Sequence, residues 1–119
     1  MSEFIDKFQD LVGFVDHTAK SIMGKLDHFT FKMLVDGLKS TDYEAVKSNI
    51  EQLEREKRPL SIPPLYFVSQ EHPRESVRAR AEKALATIGD RKEIEKVTRG
   101  KSTEEAVKAL IEKYGHYKS

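Results

Sequence analysis

Four histidines, at positions 17, 28, 72 and 116, are the residues of this chain best suited to bind a metal or to move a proton. Their spacing fits no helical ligand pair such as HxxxH. His17 and His28 would share a helix face only if one helix ran through Gly24. The chain contains no cysteine, which excludes disulfides, thiolate zinc sites and cysteine nucleophiles. The sequence therefore predicts neither a metal site nor a cofactor.

A second group of candidates is formed by the carboxylates Glu3, Asp6, Asp10 and Asp16 near the N-terminus. Paired carboxylates can act as acid and base in catalysis. These carboxylates lie opposite the apolar stripe of a predicted helix, so we interpret them as a solvent-exposed polar face and not as a catalytic pair. The chain shows no glycine-rich phosphate loop, nucleophile elbow or Ser/His/Asp arrangement. We therefore predict that the protein is not an enzyme.

Basic residues are concentrated in the middle of the chain, although the net charge is only +1. Residues 1–54 carry six lysines against ten acids, and residues 55–101 carry twelve lysines or arginines against seven acids. This asymmetry could steer a charged partner or favour head-to-tail self-association, or it could reflect solvated outer faces. The densest basic cluster is Arg74, Arg78, Arg80 and Lys83, followed by Arg91 and Lys92.

The basic cluster is poorly arranged for nucleic acid. Arg74 and Arg78 share a helix face, whereas Arg80 lies about 200° around the helix from Arg78. Glu75 and Glu82 also dilute the positive charge. Nucleic-acid binding therefore stays a less favoured alternative.

The composition indicates a thin helical protein. The 119 residues are 38% hydrophobic and 34% charged, which suits a two-layer helical array with a large surface. No apolar run approaches the roughly 18 residues that a membrane span needs, and the N-terminal segment lacks the apolar core of a secretion signal. We expect a cytoplasmic protein without a membrane span.

Apolar spacing and capping signals predict about seven helices. The first extends from about Ser2 to Met23 and ends at Gly24; its apolar face fits a cap on the core better than a membrane surface. Its apolar series continues beyond the glycine and comprises Phe4, Phe8, Leu11, Val15, Ile22, Leu26 and Phe29. The later helices begin at Asp27, at Thr41 with Glu44 in a capping box, at Ser61 with Pro63–Pro64, at Pro73, at Arg91, and at Ser102 with Glu105. The run Leu65–Val68 could alternatively form a short strand.

Three of these helices repeat one pattern along the chain. Val46, Val77 and Val107 are 31 and 30 residues apart, and each is followed directly by a basic residue. Further apolar residues follow four and seven places after the valine in each helix. A fixed period of this length is typical of a stacked helical solenoid.

The stretch from Leu60 to Gly89 resembles a HEAT repeat. Its Ile62-Pro63-Pro64-Leu65 is similar to the start of the first helix, Glu71-His72-Pro73 to the turn, and Val77-Arg78 with Ala81, Ala84, Leu85 and Ile88 to the second helix. Residues 28–57 and 91–116 resemble more divergent copies. The resemblance implies one armadillo-like α-solenoid domain, residues 1–119, with a capping helix at 1–26 and repeats at 28–57, 60–89 and 91–116.

The resemblance implies a non-enzymatic adaptor that binds another protein. In that family the basic residue after the valine often lies in a ladder between repeats, which implies structural roles for Lys47, Arg78 and Lys108. The partner surface is expected on the second helices, at Lys47, Arg74, Arg78, Arg80 and Lys83. The alternatives are a lyase-like chaperone or accessory factor for a pigment-bearing protein, and nucleic-acid binding.

Overall fold

Helices account for almost the whole described structure. The computed structural model describes residues 2–115, without the side chains of Ser2, Ile22, Leu26 and Asp27. Of the described residues, 85% are helical and none lies in a strand. The all-α prediction is confirmed, and the alternative of a strand at Leu65–Val68 is wrong. The predicted end of the third repeat, His116, lies outside the described residues.

Seven α-helices follow one another in the described part of the chain. They are α1 Ser2–Ile22, α2 Lys25–Asp36, α3 Tyr43–Glu56, α4 Ile62–Glu71, α5 Glu75–Ile88, α6 Arg91–Thr98 and α7 Thr103–Tyr114. Short 3₁₀ turns at Gly37–Lys39 and Pro59–Ser61 precede α3 and α4. None of the helices in the described residues has both the length and the apolarity that a membrane crossing requires.

The break between α1 and α2 lies at Gly24, as predicted, but α2 begins earlier than expected. Gly24 occupies the N-cap position and the helix starts at Lys25, so the prediction that Asp27 caps it is wrong. The apolar series does not extend to Phe29, which is 61% exposed, and its members Ile22 and Leu26 lie outside the described side chains. The buried face of α1 contains Phe4, Phe8, Leu11, Val15 and Ala19.

The N-cap of α3 is Asp42 rather than the predicted Thr41. The Asp42 carboxylate accepts the backbone N–H groups of Glu44 and Ala45 at 3.1 and 3.4 Å. It thereby satisfies two donors of the first turn that have no partner within the helix. The predicted capping box between Thr41 and Glu44 is therefore wrong, although the helix predicted from it is present.

The start of α5 also differs from the prediction. The sequence predicts Pro73 at the first helical position, but Arg74 has an extended backbone with φ −99° and ψ 124° and serves as the N-cap. The helix therefore begins at Glu75, and Pro73 belongs to the preceding turn.

The remaining predicted helix signals are confirmed. Ser102 and Glu105 form a reciprocal capping box at the start of α7, in which the Glu105 N–H donates to Ser102 Oγ at 3.2 Å. α5 ends directly before Gly89, and α6 starts at Arg91. α4 carries its two prolines in the first turn, where proline sacrifices no helical hydrogen bond.

α4 is the central helix of the fold. Its sequence, IPPLYFVSQE, is apolar around most of its circumference, and such a helix is stable only when it is covered on several sides. It packs against α1, α5 and α7. Its buried residues are Ile62, Pro63, Pro64, Leu65, Phe67, Val68 and Ser69.

The helices after α1 pair in chain order, α2 with α3, α4 with α5 and α6 with α7. The first two pairs meet mainly through α3 and α5, whereas the third pair meets the second through α7 and α4. The repeated valines 46, 77 and 107 are all buried in these contacts. Because α1 and α7 both fold against α4, the molecule measures 32 × 32 × 25 Å and is not elongated.

Candidate functional site

Arg80, predicted to bind a partner, forms an ion pair inside the protein. Its Nη2 lies 2.7 Å from Glu54 Oε1 and its Nη1 lies 3.3 Å from Glu54 Oε2. Glu51 lies further away, at 3.9 Å from Nη2. The two-pronged contact with Glu54 joins α5 to α3 and fixes their relative position.

The contact with Arg80 shifts the titration of Glu54. The hydrogen bond from Arg80 lowers the pKa of Glu54 below its usual value, the partial burial of the carboxylate opposes this effect, and the charges of Arg80 and Lys83 reinforce it. The same hydrogen bond raises the pKa of Arg80. Both side chains are therefore charged throughout the neutral pH range.

We expect the substitution Glu54→Gln to lower the free energy of unfolding by about 1 kcal/mol at neutral pH. The folded-state pKa of Glu54 is below the unfolded-state value near 4.5, so on acidification the unfolded chain binds the proton first. The stabilisation is therefore complete above the unfolded-state pKa and is lost as pH falls through the folded-state pKa. Urea unfolding of both proteins across this pH range measures the difference, which should vanish in strong acid.

The matched control is Glu51→Gln, which removes a carboxylate that is 51% exposed and 3.9 Å from the same guanidinium. It should change stability by only a few tenths of a kcal/mol. Equal losses for the two variants, or a Glu54 effect that does not depend on pH, would contradict the assigned role of Glu54.

The basic residues that follow the repeated valines do not form the ladder that the HEAT resemblance implies. Arg78 donates from Nη1 to the backbone carbonyl of His72 in the turn before α5. Lys108 pairs with Glu104, one turn earlier in its own helix, at 3.6 Å. Lys47 forms no ion pair with a carboxylate among the described residues. Arg80, two positions after Arg78, provides the charged link between α3 and α5 instead.

The other predicted basic residues are only partly available to a partner. Arg74 is exposed, and its guanidinium carbon lies 5.0 Å from the centre of the Tyr43 ring, within cation–π range. Lys83 is exposed as well. Arg91 pairs with Glu82 at 3.2 Å. The predicted cluster is therefore divided among internal contacts and does not form one continuous cationic surface.

His72 holds the α4–α5 turn against two other helices. Its side chain is buried, and its Nδ1 accepts the backbone N–H of Arg74 at 3.0 Å, which places the proton of the neutral ring on Nε2. The ring meets Phe4 of α1 and Tyr43 of α3 edge-on, at centroid distances of 5.0 and 5.5 Å. Burial lowers the pKa of His72, the hydrogen bond with the Arg74 backbone opposes this shift, and the charge of Arg78 adds to it. At neutral pH the imidazole is thus an uncharged packing group.

A second histidine links α1 to α2. His28 Nε2 lies 2.6 Å from Asp16 Oδ1. The interpretation of Asp16 as part of a merely solvated acidic face is therefore wrong. In the part of the chain that the structure describes, no group of three or more His, Cys, Asp or Glu side chains is arranged to hold a metal ion.

A groove of about 280 Å³ lies between α1 and α7, with α4 as its floor. We call it the α1–α7 groove. Phe14 of α1 stands on its wall and is 58% exposed, although phenylalanine is usually buried. The remaining apolar lining is Leu11, Phe67, Val107 and Ile111, and the polar lining is Lys7, Asp10, Glu71, Ser102, Thr103, Glu104 and Lys108.

The floor of the α1–α7 groove is supported by a cluster of aromatic rings in contact with one another. Phe67 contacts Phe4 and Phe8 at centroid distances of 5.5 and 5.7 Å. Phe4 in turn contacts His72. The floor is therefore set by buried side chains of α1 and α4.

The α1–α7 groove is narrow at one end and open at the other. At the narrow end the helices approach so closely that a Cβ atom on Gly115 would lie 2.8 Å from Thr18 Cγ2. At the open end Lys7 and Asp10 of α1 stand across from residues 102–104, where α7 begins. Lys7 also reaches Glu71 of α4 at 4.0 Å. The groove is thus a trough between two helices that extend in the same direction.

The described residues thus define an all-α protein with three consecutive helix pairs, a preceding helix packed on the central one, and an apolar groove between the first and last helices. No family model, curated protein sequence or solved structure matches this chain.

Proposed function

We propose that this protein is a non-enzymatic interaction module, built as a short HEAT-like α-solenoid, that binds a segment of another protein in the α1–α7 groove. The observation that carries the proposal is Phe14. More than half of its side chain is open to water at the wall of a groove whose floor is Phe67. Covering such a surface with an apolar side chain is favourable by roughly 25 cal/mol per Å².

The solenoid part of the proposal is supported by the helix pairs and by the repeated valines. The three pairs occupy residues 25–56, 62–88 and 91–114, close to the three HEAT-like units expected from the sequence. Val46 and Val77 are fully buried in the second helices of the first two pairs, which pack on each other. In this proposal α1 is the cap, because a solenoid needs a terminal element with one polar outer face.

The shape of the α1–α7 groove suits a helical or extended peptide segment. Its volume is at the lower limit of the roughly 300–1,000 Å³ of typical small-molecule sites. It is a trough bounded by two helices, the form in which helical proteins receive an amphipathic segment. The proposal therefore places the partner surface in this groove and not at the residues expected from the sequence, which are Lys47, Arg74, Arg78, Arg80 and Lys83. Two of those residues, Arg78 and Arg80, have hydrogen-bond partners within the protein.

The test compares two charge substitutions at exposed phenylalanines. Phe14→Glu places a charge in the α1–α7 groove, and Phe29→Glu places one on α2, where Phe29 is 61% exposed. Both variants should fold, because neither side chain is buried. In affinity purification from the source cell, a stoichiometric protein partner should be retained by the wild type and by Phe29→Glu and lost with Phe14→Glu.

Three results would contradict the proposal. The first is a partner that Phe14→Glu retains. The second is a partner lost only with Arg74→Glu or Lys47→Glu, which would return the binding surface to the second helices. The third is recovery that disappears after nuclease treatment, which would favour nucleic acid.

A further inference from the structure

Carboxylates outnumber cations around the α1–α7 groove. A smaller depression of about 230 Å³ adjoins its open end, since Lys7 and Glu71 line both. Taken together, the two are lined by four carboxylates and two lysines. The carboxylates are Glu3, Asp10, Glu71 and Glu104, and the lysines are Lys7 and Lys108.

Both lysines already have carboxylate neighbours, and Lys108 Nζ also lies 5.9 Å from the centre of the Phe14 ring. Lys7 Nζ lies 3.4 Å from Glu3 and 4.0 Å from Glu71, and Lys108 Nζ lies 3.6 Å from Glu104. Asp10 forms no ion pair with a cation among the described residues. The groove therefore carries an excess negative charge beside its apolar floor, and Asp10 is the carboxylate that is free to receive a cation.

The start of α7 at the open end does not offset this charge. A helix N-terminus attracts anions, but here the capping box of Ser102 and Glu105 already occupies two of the backbone donors and places the Glu105 carboxylate beside them. Glu104 adds another carboxylate in the same turn. The electrostatic field at the open end therefore favours a cation over an anion.

We propose, resting on the function proposed above, that the α1–α7 groove selects a helical segment that combines apolar side chains one turn apart with an adjacent lysine or arginine. The apolar side chains cover Phe14, the exposed apolar residue on the wall of the groove. The cation lies at the open end near Asp10. Charge complementarity of this kind sets partner choice and association rate, whereas the apolar contact supplies most of the affinity.

A display selection with the complete protein tests this inference. The probe is a library of helical peptides in which apolar, basic, acidic and neutral residues are equally represented. Enriched peptides should pair apolar residues at i and i+3 or i+4 with at least one lysine or arginine, and they should not bind Phe14→Glu. Substituting Asp10→Asn should weaken a selected peptide about threefold at low salt, and Asp6→Asn, an exposed carboxylate of α1 outside the groove lining, should not.

The outcomes separate this inference from the function on which it rests. Enriched peptides that depend on Phe14 but are neutral or acidic would overturn the inference and leave the groove as a protein-binding site. Cationic peptides that bind Asp10→Asn as tightly as the wild type would also overturn it. Peptides that bind Phe14→Glu equally well, or no enrichment at all, would contradict both proposals.

Discussion

Replacing Val77 with aspartate should lower the free energy of unfolding by about 3–5 kcal/mol. Val77 is completely buried in α5, which packs on both α3 and α4. The new carboxylate would have to be ionised without a partner or protonated at a cost, and either is unfavourable in an apolar interior. Since domains of this size are stable by only about 5–15 kcal/mol, the loss would be a large fraction of the total.

Ala79→Asp is the matched control, because Ala79 is exposed on the same helix. It should cost only about 0.5 kcal/mol, which is the difference in helix propensity. Thermal and urea unfolding followed by circular dichroism measure both variants. Similar, small losses for the two would show that the stripe containing Val77 does not face the core.

Shortening Phe8 to alanine should destabilise the protein by about 3–5 kcal/mol. Phe8 is completely buried, and its ring lies 5.7 Å from both Phe4 and Phe67. The substitution would therefore open a cavity between α1 and the central helix. A loss of this size would show that α1 packs on the core as part of the cooperatively folded protein.

The control is the same substitution at Phe14, six residues later on α1. Because 58% of the Phe14 side chain is already exposed, Phe14→Ala should cost less than about 1 kcal/mol. A Phe8→Ala protein that unfolds at the same urea concentration as the Phe14→Ala protein would contradict the packing of α1 on α4.

The helices could be predicted from the sequence because their signals are local. The pairing of Ser102 with Glu105 and the position of Gly89 depend on residues within one turn, and both predictions are confirmed. The starts of α3 and α5 were missed by one or two residues because neighbouring candidates compete. Asp42 competes with Thr41 for the N-cap, and the extended backbone of Arg74 delays the helix beyond Pro73.

The charged contacts were harder to predict because they depend on how one helix faces another. The sequence places Arg78 and Arg80 about 200° apart on one helix, but it does not show which neighbouring element each of them faces. Only the packing of α5 on α3 brings Arg80 within hydrogen-bond distance of Glu54, whereas Arg78 donates to the backbone carbonyl of His72. The role of His72 was missed for the same reason, since its ring partners Phe4 and Tyr43 belong to distant parts of the chain.

The α1–α7 groove could not be predicted because it is formed by the two ends of the described chain. Its walls carry Phe14 and Ile111, which are brought together only when α1 and α7 both pack on α4. The sequence places Phe14 outside the series Phe4, Phe8, Leu11, Val15 of its own helix. Single exposed apolar residues are common on protein surfaces, so this placement alone does not indicate a groove.

The central claim is that a protein segment binds in the α1–α7 groove. Its most direct test is to measure, by isothermal titration calorimetry, the affinity of the purified partner for Phe14→Glu and for Phe29→Glu. Phe29→Glu should bind as tightly as the wild type. Phe14→Glu should bind at least about tenfold more weakly, because the substitution removes an apolar anchor and buries a charge. Equal affinities for the two variants would contradict the claim.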